Sequence, residues 1–495
     1  MQPDSIRTVV IAGGGIVAWS AAAALKRRIG SLRIAVVTCP VPANALADRA
    51  ISTLPSIVGF HEDLGLTEAD TVVRAESGLR VGTMFEGWSM GIPPYVHAYG
   101  SYGAPVSAVA FHQLWLRGAD WGTPQSFDCF SPAAELGRLG RIASAASAGG
   151  PTPEIGYGLH LTLGRYHQLM RAYALHLGVA EQSCESLDVE LRGEDGFIER
   201  LKFDDGSTIE GDLFVDCSGP DSLIRSKMGG EFADWSKWLP CDRLVVGEGA
   251  ADSQAMMLDR VAATPAGWRW NSSSPSRSSR GVAYSSAHSS GEEALGQFGA
   301  AGADATDVTI RQGAWPEPWV RNCVAIGDAA AMLEPLEWAN LHLAHSQIDR
   351  LISMMPGRDC ATVELAEYNR QCTAEVERVR DFICMHYITA GRDEPFWKDA
   401  AEIDPPASLA HSLSLFADRG RLPYYEEETF SRDSWLAVLL GQGFRPRRTD
   451  PLADILTPED AEREVARYGD FVRAFVAPQP NYTDYMSNLR QRSFQ

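Results

Sequence analysis

Three small residues spaced Gly13-x-Gly15-x-x-Ala18 stand between a β-branched run, Val9 to Ile11, and an alanine-rich stretch. A turn of this kind lets an anion reach the main chain and rest on the N-terminus of the next helix, where unpaired N–H groups and the helix dipole favour negative charge. The ligand it suits is the pyrophosphate of a dinucleotide. The residue that closes the second strand of such a unit is normally acidic and bonds the adenosine ribose. Here that place holds Thr38, followed by Cys39. Far downstream, AIGDAAAMLEP puts Gly327-Asp328 at the end of an apolar strand. Asp328 there is either a ligand carboxylate or an N-cap, a position that Asp favours. Trp268 and Trp270, two residues apart, share one face of a strand. The nine cysteines form no C-x-x-C pair. That argues against zinc or dithiol chemistry and for a reducing cytoplasm, with no metal expected.

The elements that must position these residues follow from the apolar pattern. RTVVIAGGGIVAWSAAAALKRR reads as strand, tight turn and helix, and RIAVVT at 33–38 as the next parallel strand, which together make a βαβ unit. A helix is expected over Leu163 to Leu177. After it comes a hairpin-like stretch with turns at Gly193 to Gly196 and Asp204 to Gly206, and DLFVDCSG then returns to the parallel sheet. The serine-rich 271–291 resembles a linker, inside which Val282 to Tyr284 can form a strand, and 296–304 reads as a loop or frayed helix end. The stretch 322–355 reads as strand, glycine turn and long helix, and 364–390 as an amphipathic helix.

Several stretches resemble the flavin-dependent tryptophan halogenase family, and they occur in that family's order. They are FEGW (85–88), HAYG (97–100), DLFVDCSG (212–219), DWSKWLPCDR (234–243), GWRW (267–270), RNCVAIGDAAAMLEPLE (321–337), EYNRQCTAEVERVRDFICMHY (367–387) and PFW (395–397). The resemblance implies an α/β (α+β) fold. Its parts are a Rossmann-like FAD-binding domain with a parallel sheet, an antiparallel substrate-domain sheet and a C-terminal helical region. Along the chain this places FAD-binding parts at 1–105, 157–230 and 316–355, an insertion or substrate region at 106–156, a substrate-binding sheet carrying the tryptophans at 231–315, and a helical substrate region at 356–495.

In such proteins reduced FAD, supplied by a separate and transiently bound flavin reductase, uses oxygen and halide to make hypohalous acid, which then meets an electron-rich aromatic. The resemblance assigns Gly13, Gly15, Ala18, Thr38, Gly327 and Asp328 to FAD, with Asp328 on the ribityl chain. It sets Trp268 and Trp270 beside the flavin and His97 near an indole-like substrate, and makes Glu337 the glutamate that orients the oxidant or accepts the substrate proton. Three departures touch this chemistry. Arg80, in SGLRVGTMFEGW, occupies the family's lysine position, and a guanidinium cannot become the neutral amine that would capture the oxidant. Trp338, Ala339 and Asn340 replace the small hydroxyl residues after Glu337. Asp48 to Thr53 lacks the two glycines and the glutamate of the family's flavin loop, so it cannot follow the same path where positive φ is needed.

Bland roles stand beside these. Arg80 can be an ion-paired strand residue, Glu337 a first-turn helix glutamate, and His97 a structural or solvated side chain. The expected activity is an FAD-dependent halogenase-family oxidoreductase acting on a tryptophan-like aromatic. The alternative is a degenerate homologue that serves as partner or scaffold with weak or no FAD binding. A formal net charge of −20 disfavours nucleic acid and anionic membrane as partners. A homodimer is the default assembly expected.

Overall fold

The computed structural model describes residues 5–118, 125–143, 153–250, 256–297 and 305–493. The chain divides into two units, the first made of Met1–Ser77, Leu161–Leu244 and Thr306–Arg380, the second of Gly78–His160, Val245–Ala305 and Asp381–Gln495. Each is therefore assembled from three separate stretches of sequence.

In the first unit, β1 (Thr8–Ala12), α1 (Ile16–Arg28) and β2 (Arg33–Thr38) form the expected βαβ unit. Every residue of α1 from Ile16 to Leu25 is buried. Alanine suits such a helix because it loses no side-chain entropy and allows close packing on the sheet. Lys26, Arg27 and Arg28 in its last turn complement the negative end of the dipole. β1 pairs in parallel with β2 on one side and with Leu213–Asp216 on the other. The sheet continues through Ala180–Ser183 beyond β2 and through Cys323–Ala325 beyond Leu213–Asp216, ending in the antiparallel Trp319–Val320. DLFVDCSG thus returns to this sheet as read from sequence, and the apolar strand of NCVAIGD joins it there. A three-stranded antiparallel ladder, Leu187–Leu191, Ile198–Phe203 and Thr208–Glu210, packs Ile198, Leu201 and Phe203 against Val10, Val37 and Phe214. The helix Leu163–His176 agrees with the expected span, and the helix from Thr362 runs to Ile388.

The second unit carries a mostly antiparallel sheet in the order Arg277–Tyr284, Gly267–Ser273, Leu258–Thr264, Gly82–Glu86, Tyr95–Ala98, with only Leu258–Thr264 and Gly82–Glu86 parallel. A short ladder joins Gly78–Arg80 to Gly158–His160. C-terminal helices follow, among them Ala407–Arg419, Arg432–Gly441 and Pro458–Val476.

The serine-rich segment corrects the linker reading. Its first residues complete the strand Gly267–Ser273, and Arg277–Tyr284 pairs with that strand over its whole length. Serine composition misled because Ser272, Ser273, Ser278 and Ser279 are all buried here. The helix Gly291–Gly296 starts with a Ser290/Glu293 capping box, and residues 298–304 of the expected loop lie outside the described residues. Among the described residues no helix is long and apolar enough to cross a membrane, and no group of His, Cys, Asp and Glu is placed to hold a metal ion.

Candidate functional site

The glycines after β1 are dictated by close backbone approach. A Cβ on Gly13, whose φ is +143°, would collide with the Cys217 carbonyl, and one on Gly14 with the Cys39 carbonyl. Ala18 lies one turn into α1 against Gly13, where a larger side chain would part helix from strand. Gly15, at φ −92°, is the N-cap of α1 and supplies no side-chain cap. The capping anion comes instead from the loop after β2. Asp48, in a 3₁₀ turn over Ala47–Arg49, accepts a hydrogen bond from the Val17 N–H at 2.8 Å, and its carboxylate fills the space that a Gly15 side chain would need. Burial raises the Asp48 carboxyl to about 6, against the lowering effect of the Val17 and Ile16 N–H groups and of Arg49.

Asp328 meets the same turn from the other end of the chain. It lies in the 3₁₀ turn Gly327–Ala329, is buried, and accepts from the Ala47 N–H at 2.8 Å. It is not the N-cap of the following helix, which starts only at Asn340. Burial pushes its carboxyl up to about 7; the Ala47 N–H opposes this and the nearby Asp48 charge adds to it. Gly327, at φ +67°, packs on Val17 and Ala344 and donates to Gln347. The first unit therefore brings Gly13, Gly15, Ala18, Gly327 and Asp328 around one loop. Thr38 lies between Val37, which accepts from the Gly13 N–H, and Cys39, and its hydroxyl is bonded to Ser183 Oγ at 2.9 Å.

Within 48–53 none of the residues takes a positive φ, so the loop answers its missing glycines with a different, unstrained path. Glu337 is completely buried in the turn before Asn340–Ser353, which overturns its reading as a first-turn helix residue. Trp338, buried beside it, holds a left-handed φ of +59°. For a non-glycine residue that conformation costs roughly 1–2 kcal/mol.

In the second unit Arg80 is fully buried. Its Nε donates to Asp259, Nη2 to Thr83 Oγ1 at 2.6 Å and Nη1 to the Tyr99 hydroxyl. Asp259 also accepts from His160 Nε2 at 2.8 Å. Burial alone would raise the Asp259 carboxyl, but Arg80, His160 and Ser272 together hold it well below the usual carboxylate range. Sequence reading missed Asp259 and His160. The signal was Arg80 itself, since a guanidinium on an apolar strand demands a carboxylate.

His97, opposite Thr83 in the ladder, is not solvated. It lies among the rings of Tyr99, Phe382 and Phe430, with centroids 5.9, 5.6 and 6.1 Å away. Trp268 and Trp270 are both buried, with ring centroids 5.4 Å apart, and Trp268 Nε1 donates to the Tyr387 hydroxyl at 3.0 Å.

Comparison with known proteins gives three findings. The sequence profile described as tryptophan halogenase matches residues 8–458. The chain is 27% identical to the tryptophan 6-halogenase SttH of Streptomyces toxytricini, over 99% of each sequence. It superposes at a TM-score of 0.91 on BrvH, a flavin-dependent halogenase from Brevundimonas sp. BAL3, with 34% identity over 98% of this chain and 99% of that one. A TM-score of 0.91 is also found for Xcc4156, a flavin-dependent halogenase from Xanthomonas campestris, at 31% identity over 98% of both chains.

Proposed function

We propose, since the chain belongs to the tryptophan halogenase family, that it is an FAD-dependent halogenase that uses reduced flavin, oxygen and halide on an electron-rich, indole-like aromatic. One observation carries the cofactor assignment. The N-terminal glycine turn and Asp328 converge on a single loop, and an anion, the Asp48 carboxylate, already rests on the N-terminus of α1. That carboxylate stands in for the diphosphate, which supports the reading because free N–H groups at a helix N-terminus favour negative charge.

When bound, reduced FAD supplies with oxygen and halide the electrophilic halogen, and a flavin reductase is the transient partner that delivers it. Gly13, Gly15 and Ala18 admit the diphosphate to the main chain, and Asp328 takes the ribityl hydroxyls. Thr38 leaves the adenosine ribose without the usual carboxylate. Glu337 accepts the proton released from the substrate ring, and Trp338 narrows the space available to halide. Arg80 acts on hypohalous acid by its permanent positive charge, not as a covalent carrier. His97 presents its ring to the aromatic substrate, and Trp268 and Trp270 line the flavin-facing side of their strand.

The test has two steps. Purified protein is titrated with FAD and its visible spectrum recorded, where a bound oxidised flavin absorbs at about 450 nm. The loaded protein is then given a flavin reductase, NADH, bromide or chloride, and tryptophan or indole. Halide-dependent halogenated product is the expected result. A protein that takes up no FAD at saturating concentration overturns the reading.

A further inference from the structure

The cation at position 80 does not stand alone. Arg80, Asp259 and His160 are each completely buried, and Asp259 turns one carboxylate oxygen to Arg80 and the other to His160. The Arg80 guanidinium also lies 5.1 Å from the centre of the Tyr99 ring, so its plane is fixed by groups from several separate stretches of chain. Held this way by Arg80 and His160, the Asp259 carboxylate stays ionised in spite of its burial.

We infer that Asp259 is the positioning residue of the oxidant-handling site: it aims the base at position 80 and sets a buried opposite charge beside it, so that positions 80 and 259 work as one unit. The inference rests on the reading that residue 80 handles the oxidant. Its consequence is that Arg80→Lys by itself creates no neutral amine. A buried ammonium beside an ionised carboxylate is held protonated, and only removal of the Asp259 charge frees the lysine to become a nucleophile. His160 completes the unit. Its Nε2 lies against Asp259, and among the described residues its buried Nδ1 has no hydrogen-bond partner.

The test compares Arg80→Lys with Arg80→Lys/Asp259→Asn, each loaded with FAD. Both are prepared with ¹³C-labelled lysine, and the NMR signal of the introduced lysine is followed with pH. The neutral fraction of its amine at pH 7.5 should rise about 100-fold in the double variant, the effect of losing one close opposite charge. Halide-dependent product should follow the same order, with the double variant above the single. An introduced lysine that titrates alike in both proteins overturns the inference. Should Asp259→Asn prevent folding, Arg80→Lys/Asp259→Ser carries the same titration. The two readings fail separately: wild-type protein that binds FAD yet yields no halide-dependent product sinks the proposed function, whereas the lysine titration tests Asp259 whatever the activity.

Discussion

Asp48 gives the sharpest handle on cofactor binding. Its carboxylate accepts from the Val17 N–H and occupies the space beside Gly15, the place we propose for the diphosphate of FAD. Binding therefore has to turn the Ala47–Arg49 segment out, which gives up the cap on α1 and the Ala47–Asp328 hydrogen bond. An anion at a partly buried helix N-terminus is worth up to about 2 kcal/mol, and an Asp cap about 1 kcal/mol over a side chain that cannot cap. Asp48→Asn keeps a capping oxygen and removes the charge, and Asp48→Ala removes both. We expect FAD to bind about 5-fold tighter to the Asn variant and about 10- to 30-fold tighter to the Ala variant, the equivalent of roughly 1–2 kcal/mol.

The sign of the pH effect follows from the same carboxyl. It is raised to about 6, so it is ionised at pH 8 and largely neutral at pH 5.5. Like-charge opposition to the diphosphate then fades as the pH falls through 6, and wild-type affinity should rise over that interval. The groups facing Asp48 are Asp328, raised to about 7, Cys217, whose thiol stays protonated, and Arg49 on its own turn. Asp328 loses its charge in the same interval, so Asp48→Asn serves as the control that isolates Asp48 and should flatten most of the slope. Flavin fluorescence or calorimetric titration at fixed ionic strength measures both. Affinities within twofold of wild type for the two variants, or weaker binding by either, would refute the displacement.

Three further outcomes are expected. Gly15→Ala should lower Tm because its Cβ meets the Asp48 carboxylate, whereas Gly15→Ala/Asp48→Ala should recover most of the loss, since φ at Gly15 is ordinary; equal Tm values for the two variants would refute the contact. Glu375, buried between His342 and Arg350, is held down at about 2; burial would raise it, but hydrogen bonding and charge from those two partners prevail. A depressed carboxyl stabilises the fold above its unfolded value and loses that contribution as pH falls toward 2. About 3 kcal/mol should therefore disappear between pH 5 and 2 in wild type and be missing from Glu375→Gln, as read by urea unfolding. Trp338→Gly relieves about 1–2 kcal/mol of left-handed strain but empties an indole-sized site worth about 3–5 kcal/mol, so stability should fall by a net of roughly 1–4 kcal/mol. Its KM for halide should fall as well if the indole narrows the halide space, and an unchanged KM removes that role.

How far the sequence is legible depends on how local the cause is. The βαβ unit could be read because β-branched residues, three glycines and an alanine run act within one short window, and the return of DLFVDCSG to the sheet because a fully apolar strand needs a parallel neighbour. The Arg277–Tyr284 strand was hidden because serine composition says nothing about burial, which its partner Gly267–Ser273 decides. Asp48 was visible only as a residue standing where glycine was expected. That it caps α1 depends on a loop 31 residues further along the chain folding back over Gly15. Arg80 was found through its place in a motif, but Asp259 lies 179 residues away and no local pattern marks it.

The departures from the family's motifs separate decay from adaptation. Loss of selection at a buried site replaces residues one at a time and strands their former partners, because a new charge in the interior finds no matching group by chance. Around Arg80 the opposite holds: a buried cation, a buried carboxylate, a histidine, a threonine and a tyrosine hydroxyl are joined in one hydrogen-bonded group. In the 48–53 loop the missing glycines leave no strained residue behind, and a new carboxylate satisfies a helix end. Of these three places only Trp338 retains backbone strain, and it does so next to the buried Glu337, where strain is kept when the surroundings over-determine a conformation that function uses. Compensated substitution at two places and retained strain at the third are what continued selection on a modified site produces, with a buried ion pair at Arg80 and an internal carboxylate capping α1.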